Sequence, residues 1–219
     1  MILSVKNLSK NFRDGKKNLN VLQDVSFDVK KGEIVTIKGP SGSGKSTLLS
    51  ILGTLDDADS GKIVINSTSI NEVKDLNKLR NLNIGFVFQF HNLISELTLE
   101  ENVLIPKMIN KEEIDNQKIQ ELFTFFDLQD RMKSFPNDLS GGEKQRVAVM
   151  RAIINNPSIV IADEPTGNLD KENVLKIIAL FKKLNISNKL TFIIATHDDQ
   201  IFEIGHSKYN LESGKLIKI

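Results

Sequence analysis

The sequence predicts an α/β fold, with a mixed, largely parallel sheet, an antiparallel β region near the N-terminus and an inserted α-helical subdomain. Three observations carry that expectation. Near-continuous apolar runs, such as Ile159-Val160-Ile161-Ala162 and Phe192-Ile193-Ile194-Ala195, are the pattern of parallel strands covered on both faces. Helical periodicity alternates with these runs on either side of the chain's middle. Between them, from about 90 to 156, strand signals vanish and helical ones take over.

Taken in order, residues 2–8 and 21–29 alternate as half-buried strands, the second through Val21, Val25, Phe27 and Val29. Asn11 to Asn20 reads as a polar loop carrying one aromatic, Phe12. After a Lys31-Gly32 turn, 33–38 reads as a strand and 45 to about 53 as a helix with Gly53 as its C-cap. A short strand at 62–66, a helix at 74–82 and a buried strand at 84–88 follow, the last ending at Gln89. The lobe holds helices at 98–105, stopped by Pro106, at 111–126 and at 141–155. Strand 159–162, helix 171–185 and strand 190–195 close the core. The expected division is one domain over 1–219, with core 1–89 and 157–219 and a helical subdomain at about 90–156.

Composition narrows the function. A chain of 219 residues has ample core for one substantial domain. A net charge of +1 lacks the basic field of a nucleic-acid binder, so no nucleic-acid partner is expected. With no cysteine there is no disulfide framework, thiolate metal site or cysteine nucleophile. The start, Ile2-Leu3-Ser4-Val5, reads as a strand rather than a signal peptide. No apolar run approaches the roughly 18–20 residues that span a bilayer, so membrane contact is expected only through partners.

The chemistry is concentrated in Gly39-Pro40-Ser41-Gly42-Ser43-Gly44-Lys45-Ser46-Thr47, a G-x-x-x-x-G-K-[ST] loop between strand and helix. Its glycines let backbone N–H groups point at a polyphosphate, and the helix end adds positive potential. Lys45 supplies a charge for the β- and γ-phosphates and the Ser46 hydroxyl a Mg²⁺ ligand. A nucleoside triphosphate with Mg²⁺ is thus the expected ligand. Asp163 and Glu164 end the buried strand at 159–162, where strand ends meet the ligand crevice. Asp163 suits Mg²⁺, directly or through water, and Glu164 suits an attacking water as proton acceptor or polariser. Ser140 and Glu143 form a capping box for the helix after them. That box does not call for Gly141 and Gly142, which allow a phosphate to approach bare backbone at a helix start.

These residues, with Gln89 and Ala195-Thr196-His197-Asp198, resemble the ordered motif set of ABC-transporter ATP-binding subunits: GPSGSGKST, LSGGEKQR, IVIADEPTGNLD. The resemblance covers essentially the whole chain, and the LSGG-type signature separates the family from other phosphate-loop NTPases. It implies a P-loop NTPase (RecA-like) core and an ATPase acting with separate integral membrane subunits. It further implies a homodimer in the ATP-bound state, with Ser140, Gly141 and Gly142 of one copy closing over the γ-phosphate of the other. Gln89 matches the glutamine that senses Mg²⁺ and the attacking water, and His197 the histidine that contacts the γ-phosphate. Asp170 matches the loop that communicates across the dimer, and is also a good N-cap. Phe12 matches the aromatic that stacks on adenine, or is a packing residue. His91 and His206 match no catalytic position.

The chain departs from the commonest pattern at Glu143, where Gln is usual, and in GNLD at 167–170, where SALD is commoner. Both variants resemble the branch that includes lipoprotein-releasing (LolD-type), macrolide-export and cell-division ATPases. Phe88 to Val103 is similar to the lipoprotein-releasing subunits. The resemblance implies peripheral attachment at the cytoplasmic side of the bacterial inner membrane. Phe90, Leu93, Ile94 and Leu97 are either lobe core or anchors for a short helix of a membrane subunit.

Overall fold

Apolar alternation on a long hairpin opens the chain, β1 (Leu3–Asp14) and β2 (Lys17–Val29). The computed structural model describes residues 1–14 and 17–219. Of the stretch read as a polar loop, residues 11–14 and 17–20 are instead hairpin ladder, with Asn11 opposite Asn20 and Phe12 opposite Leu19; residues 15 and 16 lie outside the described residues. Those four paired residues are exposed, and alternation marks a strand only where one face is buried.

The chain continues through β3 (Ile34–Lys38), α1 (Lys45–Leu52), β4 (Ser60–Ile65), β5 (Thr68–Ser69), α2 (Leu76–Asn83) and β6 (Ile84–Phe88). Three helices follow, α3 (Leu99–Ile109), α4 (Asn116–Phe125) and α5 (Gly141–Ile153). Then come β7 (Ile159–Asp163), α6 (Lys171–Asn188), β8 (Thr191–Ala195), α7 (Asp199–Phe202), β9 (Ser207–Glu212) and β10 (Lys215–Lys218). The strands form two sheets. One is antiparallel, in the order β2-β1-β4-β5. The other runs β10-β9-β3-β8-β7-β6 and is parallel except for β10 at its edge. This is the P-loop NTPase fold. Neither β9 nor β10 was assigned from sequence, because only Tyr209 and Leu211 of β9 are buried.

The apolar runs are continuous because each face of the parallel sheet meets a different layer. Ile159 and Ile161 of β7 pack with Leu48 and Leu52 of α1 and with Val5 and Ile63 of the antiparallel sheet. Val160 and Ala162, on the opposite face, pack with Val147 of α5 and Phe181 of α6. Burying such a side chain contributes about 1.5–3 kcal/mol, and period-two alternation sends neighbours into different cores. Helix α1, with the loop before it, is therefore clamped between the two sheets.

Two helix boundaries differ from expectation. Pro106 lies inside α3 rather than ending it; one proline removes only its own N–H, and Asn81 Nδ2 donates to the Pro106 carbonyl at 3.1 Å. Helix α4 starts at 116, not 111, because Lys111 has a left-handed φ of 54° and Asp115 is the cap. Gly53 does cap α1, but with φ −79°. The left-handed residue is Thr54, φ 56°, and a Cβ on Gly53 would lie 2.4 Å from the Phe86 ring.

Candidate active site

The phosphate loop is shaped by its neighbours as well as by its glycines. Gly42 (φ 76°) and Gly44 (φ 100°) occupy left-handed backbone, which side-chain-bearing residues disfavour by about 1–2 kcal/mol. Gly39 is needed for a different reason: a Cβ there would lie 2.2 Å from the Leu211 carbonyl of β9. The Lys45 ammonium donates to the carbonyls of Gly39 (2.7 Å) and Pro40 (3.1 Å), holding its charge inside the loop. Helix α1 starts at Lys45 with no acidic residue in its first turn, so its first N–H groups face outward with nothing to neutralise them. The Ser43 hydroxyl is buried without a partner among the described residues.

A cavity of about 580 Å³ lies over this loop. Gly39, Ser41, Gly42, Gly44, Lys45, Ser46 and Thr47 form its floor, and Phe12, Val21, Gln89, Glu164 and His197 its walls. Phe12 is 42% exposed. The Lys10 ammonium stands 5.0 Å from the centroid of its ring and is held by Asp56 (2.9 Å) and the Asp57 carbonyl (2.6 Å). A second cavity of about 670 Å³, bordered by Met1, Ile153 and Asn188, brings together none of the expected site residues.

Glu164 follows β7 in left-handed backbone, φ 46°. Its main chain is fixed by Glu164 N to Ala195 O (2.9 Å) and Gly167 N to Glu164 O (3.1 Å). Its carboxylate receives the His197 amide at 3.1 Å and pairs with His197 Nδ1 at 2.8 Å. Asp163 Oδ1, one residue earlier, is buried with no partner among the described residues; Asp163 and Ser46 border a small adjoining cleft. An unpartnered carboxylate oxygen in a cleft shared with a serine suits a hard divalent cation that takes its remaining oxygens from phosphate and water. The residues therefore fit Mg²⁺. No cluster of three or more His, Cys, Asp or Glu is present among the described residues.

Gln89 meets a residue that sequence reasoning did not single out. Its Nε2 donates to Asn168 Oδ1 at 3.4 Å, and Asn168 Nδ2 donates to the Gln89 carbonyl at 3.3 Å. A Cβ on Gly167 would lie 2.7 Å from the Gln89 amide nitrogen. The GNLD variant thus has a local cause: glycine makes room and asparagine pairs. Val21 was missed too, since nothing in its strand pattern distinguishes it.

Ser140, Gly141, Gly142 and Asp170 are not among the residues lining this cavity and stand at the starts of α5 and α6. The Ser140 hydroxyl donates to Glu143 Oε2 at 2.7 Å, and this bond with the Ser140 amide holds the Glu143 carboxyl below its ordinary value. Asp170 caps α6 through the Asn173 amide at 2.8 Å, the main cause of its own lowered value. Gly142 is buried against that asparagine, whose Oδ1 a Cβ would approach to 2.2 Å. Gly141 is exposed, with only ordinary contacts for a Cβ.

The family described as ABC transporter matches residues 22–167. The lipoprotein-releasing system ATP-binding protein LolD of Bacteroides thetaiotaomicron is 46% identical over 207 residues, covering 92% of this chain and 94% of the relative. LolD of Buchnera aphidicola is 40% identical over 220 residues, covering 99% and 96%. The ABC transporter ATP-binding protein YtrE of Bacillus subtilis is 43% identical over 224 residues, covering 98% and 96%. Among solved structures, a dimeric bacterial ABC transporter cassette superposes with TM-score 0.89 at 39% identity, covering 98% of this chain and 96% of that one. A dimeric post-hydrolysis state of an ATP-binding cassette, bound to ADP and Pi, gives TM-score 0.88 at 38% identity with the same coverage. The chain belongs to the ABC transporter family, as one of its ATP-hydrolysing subunits.

Proposed function

We propose that two copies of this chain form the ATP-driven motor of a transporter that releases lipoproteins from a bacterial inner membrane. The observation that carries the chemistry is the Glu164–His197 pair in the wall of the phosphate-loop cavity. In this reading the triphosphate lies along Gly39–Thr47 with adenine against Phe12, and Lys45 neutralises the β- and γ-phosphates. Ser46, Asp163 and Gln89 would hold Mg²⁺, which supplies charge neutralisation on the phosphate oxygens. Glu164 accepts a proton from the attacking water, through the carboxylate oxygen that His197 does not engage. His197, whose Nδ1 pairs with Glu164, orients that carboxylate, and its γ-phosphate contact belongs to the imidazolium form, in which Nδ1–H donates to Glu164 and Nε2–H to a phosphate oxygen. The left-handed backbone at Glu164 stores about 1–3 kcal/mol of strain, which supports a functional role for its placement.

Because Ser140, Gly141 and Gly142 do not line their own chain's cavity, they are assigned to the cavity of a second copy, with Asp170 at the seam. The dimeric cassettes among the structural relatives support this pairing. Residues 1–89 and 157–219 then act as the nucleotide-binding core and about 90–156 as a helical subdomain. Glu164→Gln is expected to bind ATP·Mg and accumulate as a dimer without turnover, read by light scattering and phosphate release. Undiminished hydrolysis in that variant overturns the assignment.

No described helix is long and apolar enough to cross a membrane. Attachment is therefore assigned to membrane subunits, at the cytoplasmic side of the inner membrane. Phe90 and Ile94, 74% and 44% exposed, are the proposed anchors for a short helix of such a subunit. Lipoprotein as cargo is supported by the LolD relatives. The YtrE relative is named only as an ABC transporter ATP-binding protein, and the second reading is the ATPase of a macrolide-type efflux pump or of a cell-division-type complex signalling to cell-wall enzymes on the same motor. Identifying the membrane subunits that co-purify decides between them.

A further inference from the structure

Arg151, in the last turn of α5, takes no part in the chemistry above. Its guanidinium is largely withdrawn from water, which pushes its pKa down, and it forms no ion pair among the described residues. Its donors go instead to two consecutive main-chain carbonyls, Nη2 to His91 O at 2.7 Å and Nη1 to Asn92 O at 2.6 Å. Those residues follow Gln89 by two and three positions. Both have left-handed backbone, φ 61° and 50°, a conformation ordinary side chains adopt rarely. The planar fork reaches the two carbonyls of that turn from two separate nitrogens in a fixed geometry, which a single ammonium nitrogen at the end of a flexible stem does not reproduce.

Helix α5 is itself pressed onto β6. The Ala152 carbonyl lies 2.2 Å from where a Cβ on Gly85 would be. The segment leaving β6 is thus tied at Arg151 to a helix already seated on that strand. Asn168, in the segment after β7, also holds the Gln89 amide. We propose that Arg151 is a positioning residue: by gripping the 91–92 turn it sets the place of Gln89 at the nucleotide cavity, and through α5 it ties Gln89 to the Ser140–Gly142 helix start. The inference rests on Gln89 acting in hydrolysis, as proposed above.

The test is a double-mutant cycle in the full chain, read as kcat, KM and the Kd of a fluorescent ATP analogue. Arg151→Gln is expected to lower kcat about tenfold while KM and Kd stay within about twofold, because misplacement of a catalytic group acts on the chemical step. Arg151→Lys, which keeps the charge but not the fork, is expected to lose about threefold. In a Gln89→Ala background either Arg151 change costs less than about twofold more, because its effect passes through Gln89. If Arg151→Gln fails to fold, Arg151→Lys carries the same comparison. Wild-type kcat in a folded Arg151 variant, losses that multiply with Gln89→Ala, or a Kd that worsens as much as kcat each overturn the inference. Wild-type hydrolysis by Gln89→Ala overturns the role given to Gln89, and the inference with it; the single Arg151 variants then report separately whether Arg151 affects turnover at all.

Discussion

Gly142→Ala separates the two reasons a glycine stands at the start of α5. The new methyl group would lie 2.2 Å from Asn173 Oδ1 and 2.5 Å from its Cγ. The asparagine side chain therefore rotates away and gives up its 2.8 Å bond to Asp170 Oδ2. The cap itself survives, because it uses the Asn173 main-chain amide. Losing one side-chain hydrogen bond costs about 0.5–1.5 kcal/mol, and alanine in place of glycine in a helix returns up to about 1 kcal/mol. The net change in stability is within about 1 kcal/mol, or about 2–4 °C in Tm for a chain of this size. The ATP-dependent dimer should suffer more, since the displaced Asn173 side chain and its broken bond to Asp170 lie at the α5 and α6 starts assigned to the second copy's cavity. In a Glu164→Gln background, light scattering is expected to show the dimer weakened at least about tenfold, with monomer nucleotide affinity unchanged within about twofold, a difference of about 1.4 kcal/mol or more. Wild-type dimerisation refutes the assignment of these helix starts to the second copy's cavity; a Tm loss beyond about 10 °C refutes the packing estimate.

Two further outcomes follow from the geometry. Burial, and then the nearby Lys144 ammonium, hold His91 below its ordinary value of 6.5; Arg151 reaches its carbonyl as well. The unfolded chain therefore takes up a proton first, and the stability from neutral His91 is complete above pH 6.5 and lost as pH falls below it. Urea midpoints at about pH 7.5 and 5.5 should differ more for the wild-type chain than for His91→Asn, and equal slopes would refute the burial argument; lowered carboxylates such as Glu143 titrate at more acid pH. Gly85→Ala forces a methyl group into the backbone of Ala152, 2.2 Å from its carbonyl oxygen. Because no rotamer relieves a main-chain contact, it is expected to cost about 3 kcal/mol, measurable by urea unfolding; a loss under about 1 kcal/mol would show that α5 is not seated on β6 as described.

What the sequence by itself determined is what depends on neighbours along the chain. The phosphate loop and the α1 start are contiguous, so spacing alone names Gly42, Lys45 and Ser46. Capping boxes act over three residues, so Ser140 with Glu143 was legible, as was Asp170 as a cap. Apolar runs identified the inner strands because burial on both faces leaves no other pattern. Tertiary structure decided everything that requires distant segments to meet. Gly39 stands against the Leu211 carbonyl, Gly142 against Asn173, and Gln89 against Asn168, pairs separated by tens of residues or more and invisible to any local window. The exposed end of the β1–β2 hairpin and the half-polar β9 lacked a buried stripe to betray them. Main-chain carbonyls carry no sequence signal, so the Arg151 grip on the 91–92 turn could be found only once α5 and β6 were packed together.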